Sequence, residues 1–170
     1  MQVKGVRLYH DQALFKEASG GFTPWHADQQ YWPLATNKTI TAWIPLQPVS
    51  LEMGPLSFAA GSHKSTDYRH LAISDDSELL IQKAMNEYPQ DCGAFDIGEI
   101  SFHSGWMYHR APANKTADTR GVMTIIYMDK DMTLKKPENQ NQENDRVTFV
   151  PDIEFAEVAA SPLNPLIYSE

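Results

Sequence analysis

Thr39-Ile-Thr-Ala-Trp-Ile-Pro45 is the stretch on which the fold turns. Thr39, Thr41 and Trp43 fall on one face of an extended chain, and Ile40, Ala42 and Ile44 on the other. β-branched and aromatic residues suit the pleated, half-buried surface that such a segment presents. Working outward, Val6–Phe15 alternates loosely and is rich in β-formers at its start, and Gly98–His103 and Arg120–Asp129 are further candidate strands. Turn signals separate them: Gly20-Gly21, Gly54-Pro55, Gly61-Ser62, Asp91–Gly93 and Ala113-Asn114. One segment reads as a helix, Ser77–Tyr88, with Leu79, Leu80, Ile81, Ala84 and Met85 near helical spacing and Ser77 as its N-cap. Many short strands between turns predict a mainly β fold, a sandwich or barrel. Lys135–Arg146 carries no apolar side chain and reads as a mobile polar loop. Pro162–Tyr168 reads as a proline-punctuated tail.

The bulk numbers narrow the classes. The 170 residues suit a single domain, 1–170, and at 42% apolar and 21% charged the chain is globular rather than disordered. No apolar run approaches the roughly 18 residues of a membrane span. Met1–Arg7 lacks the layout of a signal peptide, which points to the cytoplasm. The single cysteine, Cys92, excludes an internal disulfide and a thiolate zinc site, and reads as a small buried residue. A net charge of -8 and the lack of a basic, aromatic-laced stripe argue against nucleic acid. Oligomeric state has no signature here.

The chemistry gathers at Trp25-His26-Ala27-Asp28. In an extended segment, His-X-Asp puts both side chains on one face. A third metal ligand would come from His103 or His109, both beside strand segments. Two histidines and a carboxylate hold one face of an octahedral iron(II) and leave the opposite face open. A 2-oxo acid fills two of the open positions and O2 the third. The far carboxylate of such a co-substrate needs a fixed cation, and Arg120 suits it because the planar guanidinium fork matches a carboxylate.

Three ordered blocks carry a resemblance that covers most of the chain. They are Lys16–Trp32 with Thr-Pro-Trp-His-Ala-Asp-Gln-Gln-Tyr-Trp, Thr41–Leu46 followed by Met53-Gly-Pro-Leu-Ser-Phe and Gly61-Ser-His-Lys64, and Gly98–Thr116 running on to Arg120. In them the sequence resembles the phytanoyl-CoA dioxygenase family of Fe(II)/2-oxoglutarate-dependent oxygenases. The resemblance implies a double-stranded β-helix, a cupin-like jelly-roll with one or two short helices. It assigns the metal to His26, Asp28 and His109, and makes His103 a neighbour of the ligands. It places Arg120 as the 2-oxoglutarate anchor, Trp43 in the co-substrate pocket and Gln12 in contact with the co-substrate. It implies hydroxylation of an unidentified small molecule, with 2-oxoglutarate and O2 converted to succinate and CO2. Asp28 favours hydroxylation over halogenation, since related halogenases carry a small residue there.

Two departures stand out. Relatives often have a hydroxyl residue two positions after the distal histidine, where this chain has Ala111. They also carry a longer segment before His-X-Asp, so the chain reads as a piece of a longer protein or a minimal version. These departures keep two other readings open: a non-catalytic β-barrel binding protein, and a cupin-type metal enzyme that does not use 2-oxoglutarate. His10 and His70 read as surface or packing histidines, His63-Lys64 and Asn114 as turn residues, and Trp32 as either cavity wall or core.

Overall fold

The computed structural model describes residues 1–170. In chain order the elements are β1 (Gly5–Lys16), β2 (Thr23–His26), β3 (Thr39–Pro45), β4 (Ser57–Ala59), α1 (Asp75–Met85), β5 (Gln90–Cys92), β6 (Ser101–Ser104), β7 (His109–Ala111), β8 (Arg120–Asp129), α2 (Gln140–Phe149) and β9 (Leu166–Ser169). They form two antiparallel sheets, ordered β6-β3-β8-β1-β9 and β2-β7-β4-β5. Side chains of both sheets line one central cavity, so the sheets face each other across it. This is the jelly-roll expected from the sequence, with β3 and β8 falling on the residues read as strands.

Three apolar clusters hold the layers together. Tyr9, Trp32, Leu34, Ile126, Met128 and Met132 centre the first. Trp43, Val49, Leu56, Ala111 and Val122 centre the second. The third joins Trp25, Ala59 and Tyr108 to one face of α1 through Ile81 and Met85. Those two stand four residues apart, so they lie one turn above the other and contribute about 2 kcal/mol each by leaving water. Leu79 and Leu80 point away and remain exposed.

Several local readings need correction. The N-cap of α1 is Ser74, with Ser77 at the third helical position closing a reciprocal capping box. Lys135–Arg146 is not a loop throughout, because α2 begins at Gln140. Its N-terminus is capped by Asn139, whose Oδ1 accepts from the Gln142 amide at 2.9 Å. The helix docks without an apolar stripe: buried Gln142 donates to the Gln30 carbonyl, Asp145 accepts from the Tyr9 hydroxyl, and only Phe149 at its last position packs on the first apolar cluster. That is why hydrophobic periodicity missed it. The tail contributes β9, which pairs with the start of β1. Cys92 is exposed on β5 rather than buried, and β5 itself occupies residues read as a turn. Asn114 does serve its turn, accepting from the Thr116 amide at 3.0 Å.

One glycine ties the fold to the site. Gly54 has φ +70°, and a Cβ there would stand 2.1 Å from the Pro112 carbonyl oxygen. Its own carbonyl accepts a hydrogen bond from Arg120 Nη1. Gly54→Ala is expected to lower stability by about 2 kcal/mol or more, read as a fall in Tm. An unchanged Tm would mean that the turn relaxes without strain.

Candidate metal centre

β2 and β7 pair so that His26 lies directly opposite His109. Their rings are 4.2 Å apart between centroids. After His26 the chain stays extended through Ala27, at φ -128° and ψ 127°, and then turns into a short 3-10 segment over Asp28–Tyr31. The extended residue between them is what brings His26 and Asp28 to one side. The Gln29 amide donates to the Gly105 carbonyl at 2.9 Å and fixes the start of that turn. From behind, α1 anchors β2: Glu78 accepts from the Trp25 amide and pairs with Arg110 at 3.6 Å.

Each of the two imidazoles has its Nδ1 committed to backbone. His26 Nδ1 donates to the Pro24 carbonyl at 2.7 Å, and His109 Nδ1 to the Met107 carbonyl at 3.0 Å. That leaves both Nε2 lone pairs free, facing Asp28 Oδ1 at 3.7 and 3.6 Å. One ligand atom from each of His26, Asp28 and His109 lies within 4.8 Å of the others. Burial and the neighbouring His26 lower the His109 pKa to about 3, so its ring is neutral, as ligation requires. Burial alone would raise the Asp28 carboxyl, but the three imidazoles around it outweigh that and hold it well below the usual carboxylate range.

His103 sits behind this group. Its Nε2 is 3.3 Å from Asp28 Oδ2, and Thr41 Oγ1, opposite His103 across β3 and β6, donates to the same oxygen at 3.3 Å. Such outer hydrogen bonds orient a metal-binding carboxylate and are worth about 10–100-fold in affinity. His103→Ala is therefore expected to weaken metal binding about tenfold in an anaerobic titration. Unaltered affinity would make His103 a packing residue, and total loss would make it a ligand.

The group opens into a cavity of about 370 Å³. Arg120, Trp43, Leu56 and Ala111 line it toward the start of β8, Gln12 lines its middle opposite Thr124, and Trp32, Tyr31, His10, Ile126 and Asp145 line the other end. At about 3.3 Å per residue, Ile126 lies roughly 20 Å along β8 from Arg120. Arg120 is buried, with its Cζ 5.5 Å from the Trp43 ring centre. Its Nε has no hydrogen-bond partner, and no carboxylate lies within ion-pair distance of it. Trp43 is both core and cavity wall; Gln12 lines the cavity from an exposed stretch of β1. Opposite Ala111 in the β2–β7 register stands Thr23, which supplies a hydroxyl to the same cavity.

The sequence profile described as phytanoyl-CoA dioxygenase (PhyH) matches residues 2–122. The chain belongs to the phytanoyl-CoA dioxygenase family. A phytanoyl-CoA dioxygenase domain-containing protein 1 homolog from Caenorhabditis briggsae is 31% identical over 80% of this chain and 51% of its own length. A probable alpha-ketoglutarate-dependent hypophosphite dioxygenase of Stutzerimonas stutzeri is 31% identical over 73% of this chain and 46% of its own. Among solved structures, the non-heme alpha ketoglutarate dependent carbocyclase SnoK of nogalamycin biosynthesis superposes with a TM-score of 0.78. It is 26% identical over 96% of this chain and 63% of that one. The chain thus spans about half the length of the curated relatives it matches.

The cofactors of the phytanoyl-CoA dioxygenase family are iron(II) and 2-oxoglutarate, with O2. The residues present fit them. Two imidazoles and a carboxylate are a donor set for iron(II), and a buried guanidinium without a counter-ion fits a carboxylate. No helix is long and apolar enough to cross a membrane. Sequence reasoning left Trp32 undecided, and it proves to be cavity wall as well as core. It set His10 aside, yet that ring is buried, stacked on Phe149 at 4.0 Å, and part of the cavity lining. It also missed Asp145, which lay in the stretch read as a loop and had no motif to mark it.

Proposed function

We propose that this chain is the core of an iron(II)- and 2-oxoglutarate-dependent hydroxylase acting on a C–H bond of a small molecule. The observation that supports it is the convergence of His26, Asp28 and His109 in the same cavity as an uncompensated Arg120.

In this reading His26 Nε2, His109 Nε2 and an Asp28 oxygen hold the metal. The Pro24 and Met107 carbonyls keep both rings in the tautomer that presents Nε2. Arg120 binds the far carboxylate of 2-oxoglutarate through its planar fork, and Trp43 fixes the guanidinium from one side. Gln12 reaches the co-substrate from β1, and Thr23 offers the hydroxyl that Ala111 lacks. The apolar walls from Leu56, Trp32 and Ile126 keep water from competing for the site. When bound, iron(II) supplies the oxidation: 2-oxoglutarate loses CO2 and takes up one oxygen atom as succinate, and the other oxygen atom enters the C–H bond. Asp28 would hold the metal where related halogenases have a small residue that leaves room for a halide, which favours hydroxylation.

The test is anaerobic. Iron(II) and then 2-oxoglutarate are added to the metal-free protein, and the weak visible charge-transfer band of the chelate is followed. A band in the native chain that is lost in His109→Ala supports the assignment. A folded protein that binds iron(II) and gives no band refutes the use of 2-oxoglutarate.

A further inference from the structure

The end of the cavity away from Arg120 holds a carboxylate that neither the metal nor the co-substrate uses. Asp145 projects from α2, beyond the residues that match the family profile. Its Oδ2 accepts from the Tyr9 hydroxyl, and its Oδ1 receives no hydrogen bond from the protein. The nearest cation in sequence, Arg146, is tied up by Glu143 at 2.7 and 3.0 Å. No cation lies within ion-pair distance of Asp145. Burial pushes its pKa up to about 7, partly offset by the Tyr9 hydrogen bond.

The surroundings are also unsatisfied. His10 lines the same end, is 8% exposed, makes no side-chain hydrogen bond, and has its Nδ1 closed off from solvent without a partner. Burial lowers its pKa to about 4, so it contributes no positive charge. Tyr31 and Trp32 complete an aromatic wall, which favours a cation over an anion at its face. A half-buried carboxylate without a counter-ion, walled by aromatic rings, is a site that a cationic ligand completes.

We propose that Asp145 receives a protonated amine of the substrate, so that this chain acts on a small molecule carrying a basic nitrogen beside an apolar body. The assignment rests on the cavity being the oxygenase's substrate site. It divides the cavity between two charges: Arg120 takes the dianionic co-substrate and Asp145 the cationic substrate. Such a division also keeps the two ligands from exchanging places, since each end repels the other's guest.

The experiment uses the full chain loaded anaerobically with manganese(II) and 2-oxoglutarate, with loading measured first in the same calorimeter. The probes are aminomethylcyclohexane, its neutral alcohol analogue cyclohexylmethanol, and cyclohexanecarboxylate. The amine is expected to bind about tenfold tighter than the alcohol or more, with the carboxylate weakest. Asp145→Asn is expected to erase the preference of amine over alcohol. Tyr9→Phe removes the hydrogen bond that ties α2 to β1 but leaves the carboxylate, so the preference persists there. Equal binding of amine and alcohol, no binding of the amine, an unchanged preference in Asp145→Asn, or an equal loss in Tyr9→Phe overturns the proposal. The amine preference is read on the unloaded protein as well. A failure to load with a preserved preference therefore counts against the oxygenase reading alone.

Discussion

Asp28→Ala is expected to abolish iron(II) binding and, with it, turnover of 2-oxoglutarate, while the chain stays folded. Its carboxylate is the only anionic group among the three imidazoles. Without it the two remaining candidate ligands, His26 and His109, face each other from paired strands, with no charge to offset that of an ion. Hydrogen-bond partners of ligands are worth about 10–100-fold in metal affinity, so loss of a ligand is expected to exceed about a hundredfold. The fold has little stake in this residue. Asp28 donates nothing to the sheets, and its side-chain hydrogen bonds are to Thr41 and His103, two side chains already placed by the β3–β6 register. Anaerobic iron titration and thermal melting read the two halves separately. Iron binding at native affinity would remove Asp28 from the centre.

Arg120→Ala is expected to raise the Kd for 2-oxoglutarate by about a hundredfold, the size of a lost buried bidentate ion pair. The native guanidinium is buried, is held at Nη1 by the Gly54 carbonyl, and has nitrogen to spare for a ligand. Lys16, its register partner on β1, cannot stand in. Its Nζ is spent on the Gly21, Ala111 and Pro112 carbonyls and the Thr23 hydroxyl. Arg120→Lys is expected to recover only part of the loss, because it restores the charge and not the fork. Titration of the charge-transfer band gives the constants. An Arg120→Ala value equal to the native one would mean that the co-substrate lies elsewhere.

The strand framework was legible because its signal is local. Thr39–Pro45 alternates, Arg120–Asp129 is a run of β-formers, and both lie inside the larger sheet, where each face has an apolar or cavity neighbour. The candidate metal group was legible for a different reason: His-X-Asp needs one extended residue, and Ala27 supplies it. What local pattern did not carry was anything held by a long-range polar contact. α2 has no apolar stripe to announce it, since Gln142 and Asp145 bind Gln30 and Tyr9 from more than a hundred positions away. His10 and Thr23 enter the cavity through strand register, and register depends on which strands become neighbours. Proximity to the apolar run points to Ser77 as the cap, and only the reciprocal bonds between Ser74 and Ser77 decide their order.

The placement of α2 has a consequence for how such a protein can diversify. The candidate ligands stand on β2, on β7 and in the turn after β2, within the part of the chain that matches the family, whereas α2 comes after it. The helix meets the cavity wall through Gln142, Asp145 and the Phe149 ring stacked on His10, and brings its own capping residue, Asn139. A substitution at Asp145, or the exchange of the whole helix, would therefore redraw one wall of the chamber while the strands bearing the imidazoles kept their register. Chemistry and selectivity would then be inherited on separate stretches of sequence, and selection could change what enters without disturbing what reacts.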